Sequence, residues 1–176
     1  METEKPTESS TGNIGSVVDI FCGVGGLSHG LKLEGFQIAA GIDLDEDCRY
    51  AYETNNNARF VLKDVSKIAP EEIDALYPDD GPKILVGCAP CQPFSKYNQK
   101  NTDPKWRLIE KFSDLIIAVQ PDVVSMENVP SLVDFQGGQV FKSFLRKLEK
   151  ENYKVVWDIL YGPDYGLAQS RSRLVL

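Results

Sequence analysis

From residue 16 onward the chain alternates short β-branched, apolar runs with blocks whose apolar residues recur at helical spacing. No other feature limits the fold as much. Val17-Val18-Asp19-Ile20-Phe21 predicts a first strand. Residues 37–42, 60–62, 83–86, 122–126 and 155–160 predict five more, and Leu174-Val175-Leu176 begins another. Helix-like blocks lie between them at 27–34, 46–55, 70–77, 106–119 and 139–149. Pro70, first in its block, is a helix-start signal. Strands alternating with helices build βα units, so the expected fold is α/β: a doubly wound, mostly parallel sheet with helices on both faces. Ligands bind such sheets at the carboxyl ends of the strands.

The 176 residues suffice for one domain with a core, assigned to residues 16–176. Residues 1–15, rich in Thr, Ser and Glu, read as a disordered tail. No apolar run is long enough to span a bilayer, and the start lacks the apolar block of a signal peptide. Four cysteines, two of them in glycine- or proline-rich loops, indicate a reducing compartment. The expected location is the cytoplasm or nucleoid of a bacterium, or the nucleus or cytoplasm of a eukaryote. The net charge of −7 is a poor match to nucleic acid, so any such role needs a local basic patch or a basic partner. The chain also stops inside an apolar run, which reads as a fragment or a split subunit.

Chemistry-bearing residues cluster at the predicted strand ends. After the first strand, Cys22-Gly23-Val24-Gly25-Gly26 forms a glycine turn without the G-x-G-x-x-G spacing of dinucleotide sites. Asp43 ends the second strand, where a carboxylate accepts ribose hydroxyls, and Asp64 ends the third, suited to an adenine amino group. Together these acids and the turn predict an adenosine-containing cofactor. After the fourth strand runs Gly87-Cys88-Ala89-Pro90-Cys91-Gln92-Pro93-Phe94-Ser95, where two prolines bar a helix or central strand and present Cys91 on a stiff loop. Cysteine there is either a packed small hydrophobe or a nucleophile. Cys88-x-x-Cys91 also fits a redox dithiol or half a zinc site. There is no second C-x-x-C, and the only histidine is His29, so no metal is expected.

Glu127, after the fifth strand, falls on the same sheet edge as Cys91. A cysteine with a nearby carboxyl suits attack on a ring that must be protonated at nitrogen. Arg171 and Arg173, alternating in an extended segment, face one way and suit a phosphate or a base carbonyl. The polar stretch 96–105 carries Lys96, Lys100 and Lys105, followed by Arg107, and reads as a solvated lid.

In this order, Asp19 to Ser28, Asp43, Asp64, Gly87 to Ser95, Glu127 to Val129 and Gln169 to Arg173 resemble the cytosine-5 DNA methyltransferases. The resemblance covers nearly everything after the tail. It implies a Rossmann-like fold, truncated at its C-terminal side, that moves a methyl group from S-adenosylmethionine to carbon 5 of a flipped-out cytosine. Phe21, Gly23, Val24, Gly25, Gly26, Asp43, Leu44, Asp64, Val65, Pro90 and Leu108 would then line the cofactor site. Cys91 would be the nucleophile, Glu127 would hold the base edge, and Arg171 and Arg173 would contact its carbonyl. Ser95, Lys96, Lys100 and the loop to Arg107 would close over nucleic acid, while Cys88 reads as packing. The family's proline before the last motif's glutamine is here Ala168, and its target-recognition region lies beyond residue 176. The substrate implied is double-stranded DNA, in a restriction-modification setting, with a complementary chain as the source of target recognition. Alternatives are a tRNA-methylating relative and an inactive cofactor-binding subunit.

Overall fold

The computed structural model describes residues 14–91, 94 and 104–176. The tail over 1–13 and the candidate nucleic-acid contacts Ser95, Lys96 and Lys100 lie outside the described residues.

Twelve main elements alternate as the pattern requires: β1 (Ser16–Ile20), α1 (Gly26–Leu33), β2 (Gln37–Asp43), α2 (Arg49–Asn56), β3 (Arg59–Leu62), α3 (Pro70–Asp74), β4 (Lys83–Gly87), α4 (Arg107–Val119), β5 (Val123–Asn128), α5 (Gln139–Lys150), β6 (Asp158–Tyr161) and β7 (Ser172–Val175). They form one seven-stranded sheet in the order β3-β2-β1-β4-β5-β7-β6. β1 to β5 are parallel, while β7 runs antiparallel to both β5 and β6. The strand order reverses between β1 and β4, which opens a crevice at their carboxyl ends.

Strand periodicity distributes the core over two faces. Val18, Ile20 and Leu85 pack with Ile73 of α3, with Ile109, Phe112, Leu115 and Ile116 of α4, and with Phe141, Phe144 and Leu148 of α5. On the other face Val17, Ile84 and Val86 meet Leu27 and Leu31 of α1, and Tyr52 of α2 packs with Cys22 and Phe60. No helix among the described residues is long and apolar enough to cross a membrane.

Several boundaries differ from the sequence pattern. Phe21 leaves β1 with a left-handed φ of 61°, turning the chain toward the glycine loop. The block at 46–55 divides, because the Asp45 carboxylate accepts from the Asp47 N–H at 3.1 Å and tightens Glu46–Cys48 into a 3₁₀ turn ahead of α2. The sixth strand begins at Asp158 rather than Val155. The ladder with β7 begins at Asp158, while Tyr153 and Val155 pack against the core and the Tyr153 hydroxyl donates to the Pro121 carbonyl at 2.6 Å. The final strand starts two residues early, at Ser172, and so takes in Arg173.

Gly41 of β2 is required by a close approach. A Cβ there would lie 2.2 Å from Cζ of Tyr52, whose ring is fully buried and has nowhere to move. Gly41→Ala is therefore expected to destabilise the fold by about 1–3 kcal/mol. The urea midpoint should fall with an unchanged slope.

Candidate active site

The carboxyl ends of β1, β2 and β3 carry the glycine turn and the two acids. Asp43 is locked by three backbone donors: Gly23 N–H reaches Oδ2 at 2.8 Å, while Leu44 and Asp45 N–H reach Oδ1 at 2.8 and 3.0 Å. The first of these bonds ties the glycine turn to the end of β2. Asp64 accepts the Ser66 hydroxyl and N–H at 2.7 and 2.9 Å, and these bonds, helped by Lys67, hold its carboxyl below the usual range. Both acids are fixed in place yet remain partly open to solvent.

Across the switch point, β4 runs into the Cys91 loop and β5 into Glu127, and the two strands are direct neighbours. Asn128, 1% exposed, braces them: its amide donates to the Ala89 carbonyl at 3.0 Å. Cys91 is the one exposed cysteine among the described residues. The Glu127 carboxylate takes Nε of Arg173 at 2.7 Å through Oε1, since β7 pairs antiparallel with β5 and sets the two side chains together. Burial, and then the Glu127 charge, push the Cys88 thiol far up, so it stays protonated against that carboxylate.

One cavity of about 370 Å³ joins the two halves. Phe21, Asp43, Leu44, Asp64 and Val65 line it from the β1–β3 side, and Pro90, Cys91, Leu108, Glu127, Arg171 and Arg173 from the other. All four residues picked from the sequence as catalytic, and seven of the eleven picked for the cofactor, thus share one space. Of the rest, Gly26 lines an adjoining hollow, Gly23 serves through its bond to Asp43, and Val24 is exposed. Gly25 lines neither space; its left-handed φ of 85° starts α1, and a Cβ there would strike Asn56 at 2.2 Å.

The cavity also takes in residues read otherwise from the sequence: Cys88, read as packing, Lys105, read as part of a solvated lid, and Ala89 and Val129, which stood only as neighbours within the motifs. Cys88 is raised by Glu127 one strand away, a relation that only the β4–β5 register reveals.

Asp19 is the second unforeseen group. It is 1% exposed, takes the Ser28 hydroxyl on Oδ2 at 2.7 Å, and has no partner for Oδ1 among the described residues. Ser28 in turn meets the Tyr52 hydroxyl at 3.0 Å. Asp19 lines the adjoining hollow, which shares Phe21, Cys88, Glu127 and Arg171 with the main cavity. Burial raises its carboxyl to about 7, against the lowering pull of Ser28. The folded chain then keeps a proton that the unfolded chain releases above its ordinary value of 3.8. This group's contribution is full below that value and is lost as pH rises through about 7. Asp19→Asn should remove the dependence. In urea titrations, the stability of the native sequence relative to the variant should fall by up to about 4 kcal/mol between pH 4 and pH 8.

Residues 15–176 match the profile of the family described as C-5 cytosine-specific DNA methylase. The type II methylase M.HgiDII of Herpetosiphon aurantiacus is 53% identical over 164 residues, covering 93% of this chain and 46% of that protein. The type II methyltransferase M.Sau96I of Staphylococcus aureus is 29% identical over 171 residues, covering 92% of this chain and 38% of that one. Among solved structures, an E. coli prophage-encoded protein assigned as a DNA modification methyltransferase superposes with a TM-score of 0.77 at 27% identity, over 91% of this chain and 45% of that one. The S. pombe Dnmt2 methyltransferase shares the fold, with a TM-score of 0.70 at 21% identity over 91% of this chain and 48% of its own. The chain spans about half the length, or less, of the relatives it matches. With that profile matched over residues 15–176, this chain belongs to the C-5 cytosine-specific DNA methylase family.

Proposed function

We propose that the protein transfers a methyl group from S-adenosylmethionine to carbon 5 of cytosine in double-stranded DNA, within a type II restriction-modification system. The observation that carries this reading is the single cavity in which Cys91, Glu127 and two arginines face the same space as Asp43 and Asp64.

The residues fit the cofactor. Asp43 and Asp64 are acceptors for ribose hydroxyls and an adenine amino group, with Phe21, Leu44, Val65, Pro90 and Leu108 as apolar walls for the ring. The orphaned Oδ1 of Asp19, in the hollow that continues from the cavity, suits a cationic amino group. S-adenosylmethionine carries these groups, and when bound it supplies an electrophilic methyl on sulfonium.

Carbon 5 of cytosine is a weak nucleophile, and the chain's task is to activate it. The Cys91 sulfur adds to carbon 6, forming an S–C bond and pushing electron density toward carbon 5 and the ring nitrogen. Glu127, with Oε1 taken by Arg173, offers its other oxygen to the ring nitrogen and exocyclic amine, holding the proton that neutralises the developing charge. Arg171 and Arg173 supply donors for the base carbonyl. Once carbon 5 is methylated it loses its proton to a base, the S–C bond breaks, and the electron pair returns to Cys91. The cytosine must leave the duplex to enter the cavity, at a cost of a few kcal/mol.

Choice of the DNA sequence falls to polypeptide outside these residues, in the same chain or in a complementary one. The 176 residues alone are accordingly expected to turn over weakly or not at all. The test supplies a protein of the relatives' length with methyl-labelled S-adenosylmethionine and either duplex DNA or tRNA. Label on carbon 5 of cytosine in DNA supports the reading. Label on tRNA alone, or on neither, overturns it.

A further inference from the structure

The Cys91 backbone is tied to Phe94, and Phe94 is held at two points outside the reacting groups. Phe94 N–H donates to the Cys91 carbonyl at 3.0 Å. The Phe94 ring is 4% exposed and packs edge-on against Phe135, with centroids 4.9 Å apart at 84°. The Phe94 carbonyl accepts the Ser131 hydroxyl at 2.6 Å. Ser131 itself is rigidly mounted. It sits in the 3₁₀ turn Pro130–Leu132, which is closed by bonds from Leu132 N–H to the Val129 carbonyl and from Val133 N–H to the Pro130 carbonyl, both 3.1 Å. That turn follows directly on β5 and Glu127.

We propose that Ser131 is a positioning residue for the nucleophile: by donating to the Phe94 carbonyl it fixes Phe94, and through the Phe94 N–H the Cys91 carbonyl, against the end of β5, and so fixes Cys91 on the cavity wall relative to Glu127. This rests on the methyl-transfer reading above. The two anchors do different work. Packing of the Phe94 ring is non-directional and leaves the backbone free to rotate about it. A hydroxyl bonded to a carbonyl oxygen fixes the peptide plane, because the bond weakens steeply off its preferred geometry. The Phe94 carbonyl and the Phe94 N–H flank one Cα, so anchoring the carbonyl restrains the residue whose N–H holds the Cys91 carbonyl. Asn128 makes the matching bond ahead of Cys91, at Ala89. The nucleophile is thereby bracketed by two side chains from the segment that carries its acid partner.

Without the hydroxyl the ring still docks and the fold persists, but the sulfur samples positions displaced from attack. A displacement of about 1 Å costs up to about a hundredfold in rate, and partial freedom about tenfold. The deciding comparison is Ser131→Thr against Ser131→Val, which have the same shape and differ in the hydroxyl, with Ser131→Ala as a third variant. Full-length protein, S-adenosylmethionine and duplex DNA containing 5-fluorocytosine give the single-turnover rate of covalent capture. Alkylation of Cys91 by iodoacetamide, read on its peptide by mass spectrometry, gives its disposition without DNA. Val and Ala should capture about tenfold more slowly than the native protein, with Thr within about twofold. Cofactor Kd and the KM for DNA should change little in any of them. The alkylation rate should shift in Val and Ala and not in Thr. Equal capture by Thr and Val, or a loss in Val that resides in cofactor affinity, overturns the proposal. If the native protein captures no adduct, the methyl-transfer reading fails. The alkylation comparison then decides the positioning role by itself, and equal rates in Thr and Val overturn it.

Discussion

Cys91→Ser in the full-length protein is expected to abolish covalent capture of 5-fluorocytosine DNA and to lower methyl transfer by about four orders of magnitude. The two side chains differ by one atom, but a hydroxyl is far harder to ionise than a thiol and far less nucleophilic toward carbon 6. Binding of S-adenosylmethionine should hardly change, because Asp43 and Asp64, the acceptors proposed for it, stand at the ends of β2 and β3 and are fixed by their own backbone and Ser66 bonds. The control is built into the loop. Cys88 also lines the cavity, but burial and the Glu127 charge hold it as a thiol, so it cannot substitute. A denaturant-stable adduct that survives Cys91→Ser would move the nucleophile elsewhere and defeat the mechanism.

Glu127→Gln should lower the rate of capture and of methyl transfer by about 10²- to 10⁴-fold. The amide keeps the shape of the side chain but cannot hold a proton at the ring nitrogen. The fold should barely notice. The Glu127–Arg173 pair is 31% and 25% exposed on its two side chains, and pairs this open contribute only about 0–1 kcal/mol. Thermal unfolding within a few degrees of the native value, alongside the rate loss, is the expected signature. A variant that loses stability in proportion to its activity would instead make Glu127 a structural carboxylate.

The parts legible in the sequence were those governed by local rules. Short apolar runs followed by an acid placed Asp43 and Asp64 at strand ends, and the prolines around Cys91-Gln92 barred a regular helix or central strand. What stayed hidden depends on tertiary register. Val155 carries strand propensity yet packs against the core, and the ladder with β7 begins only at Asp158. Asp19 sits in an apolar run and looks like a strand residue; only the approach of Ser28 and Tyr52 makes it a buried acid. Gly25 looked like a ligand cradle from its place in the turn, but Tyr52 and Asn56 occupy the space above it. Ser131 gave no signal at all, since its meaning lies in a carbonyl 37 positions away.

The insertion of β7 between β5 and β6 has a consequence for biosynthesis. During translation Cys91 and Glu127 leave the ribosome long before Arg173, the cation paired with Glu127, has been made. Until then β5 is a bare edge, open to mispairing with other nascent chains. β7 covers that edge and brings Arg173 to Glu127 in the same event. A polypeptide released before β7 is made therefore lacks both the cover and the ion pair, and is exposed to chaperones and proteases at that edge.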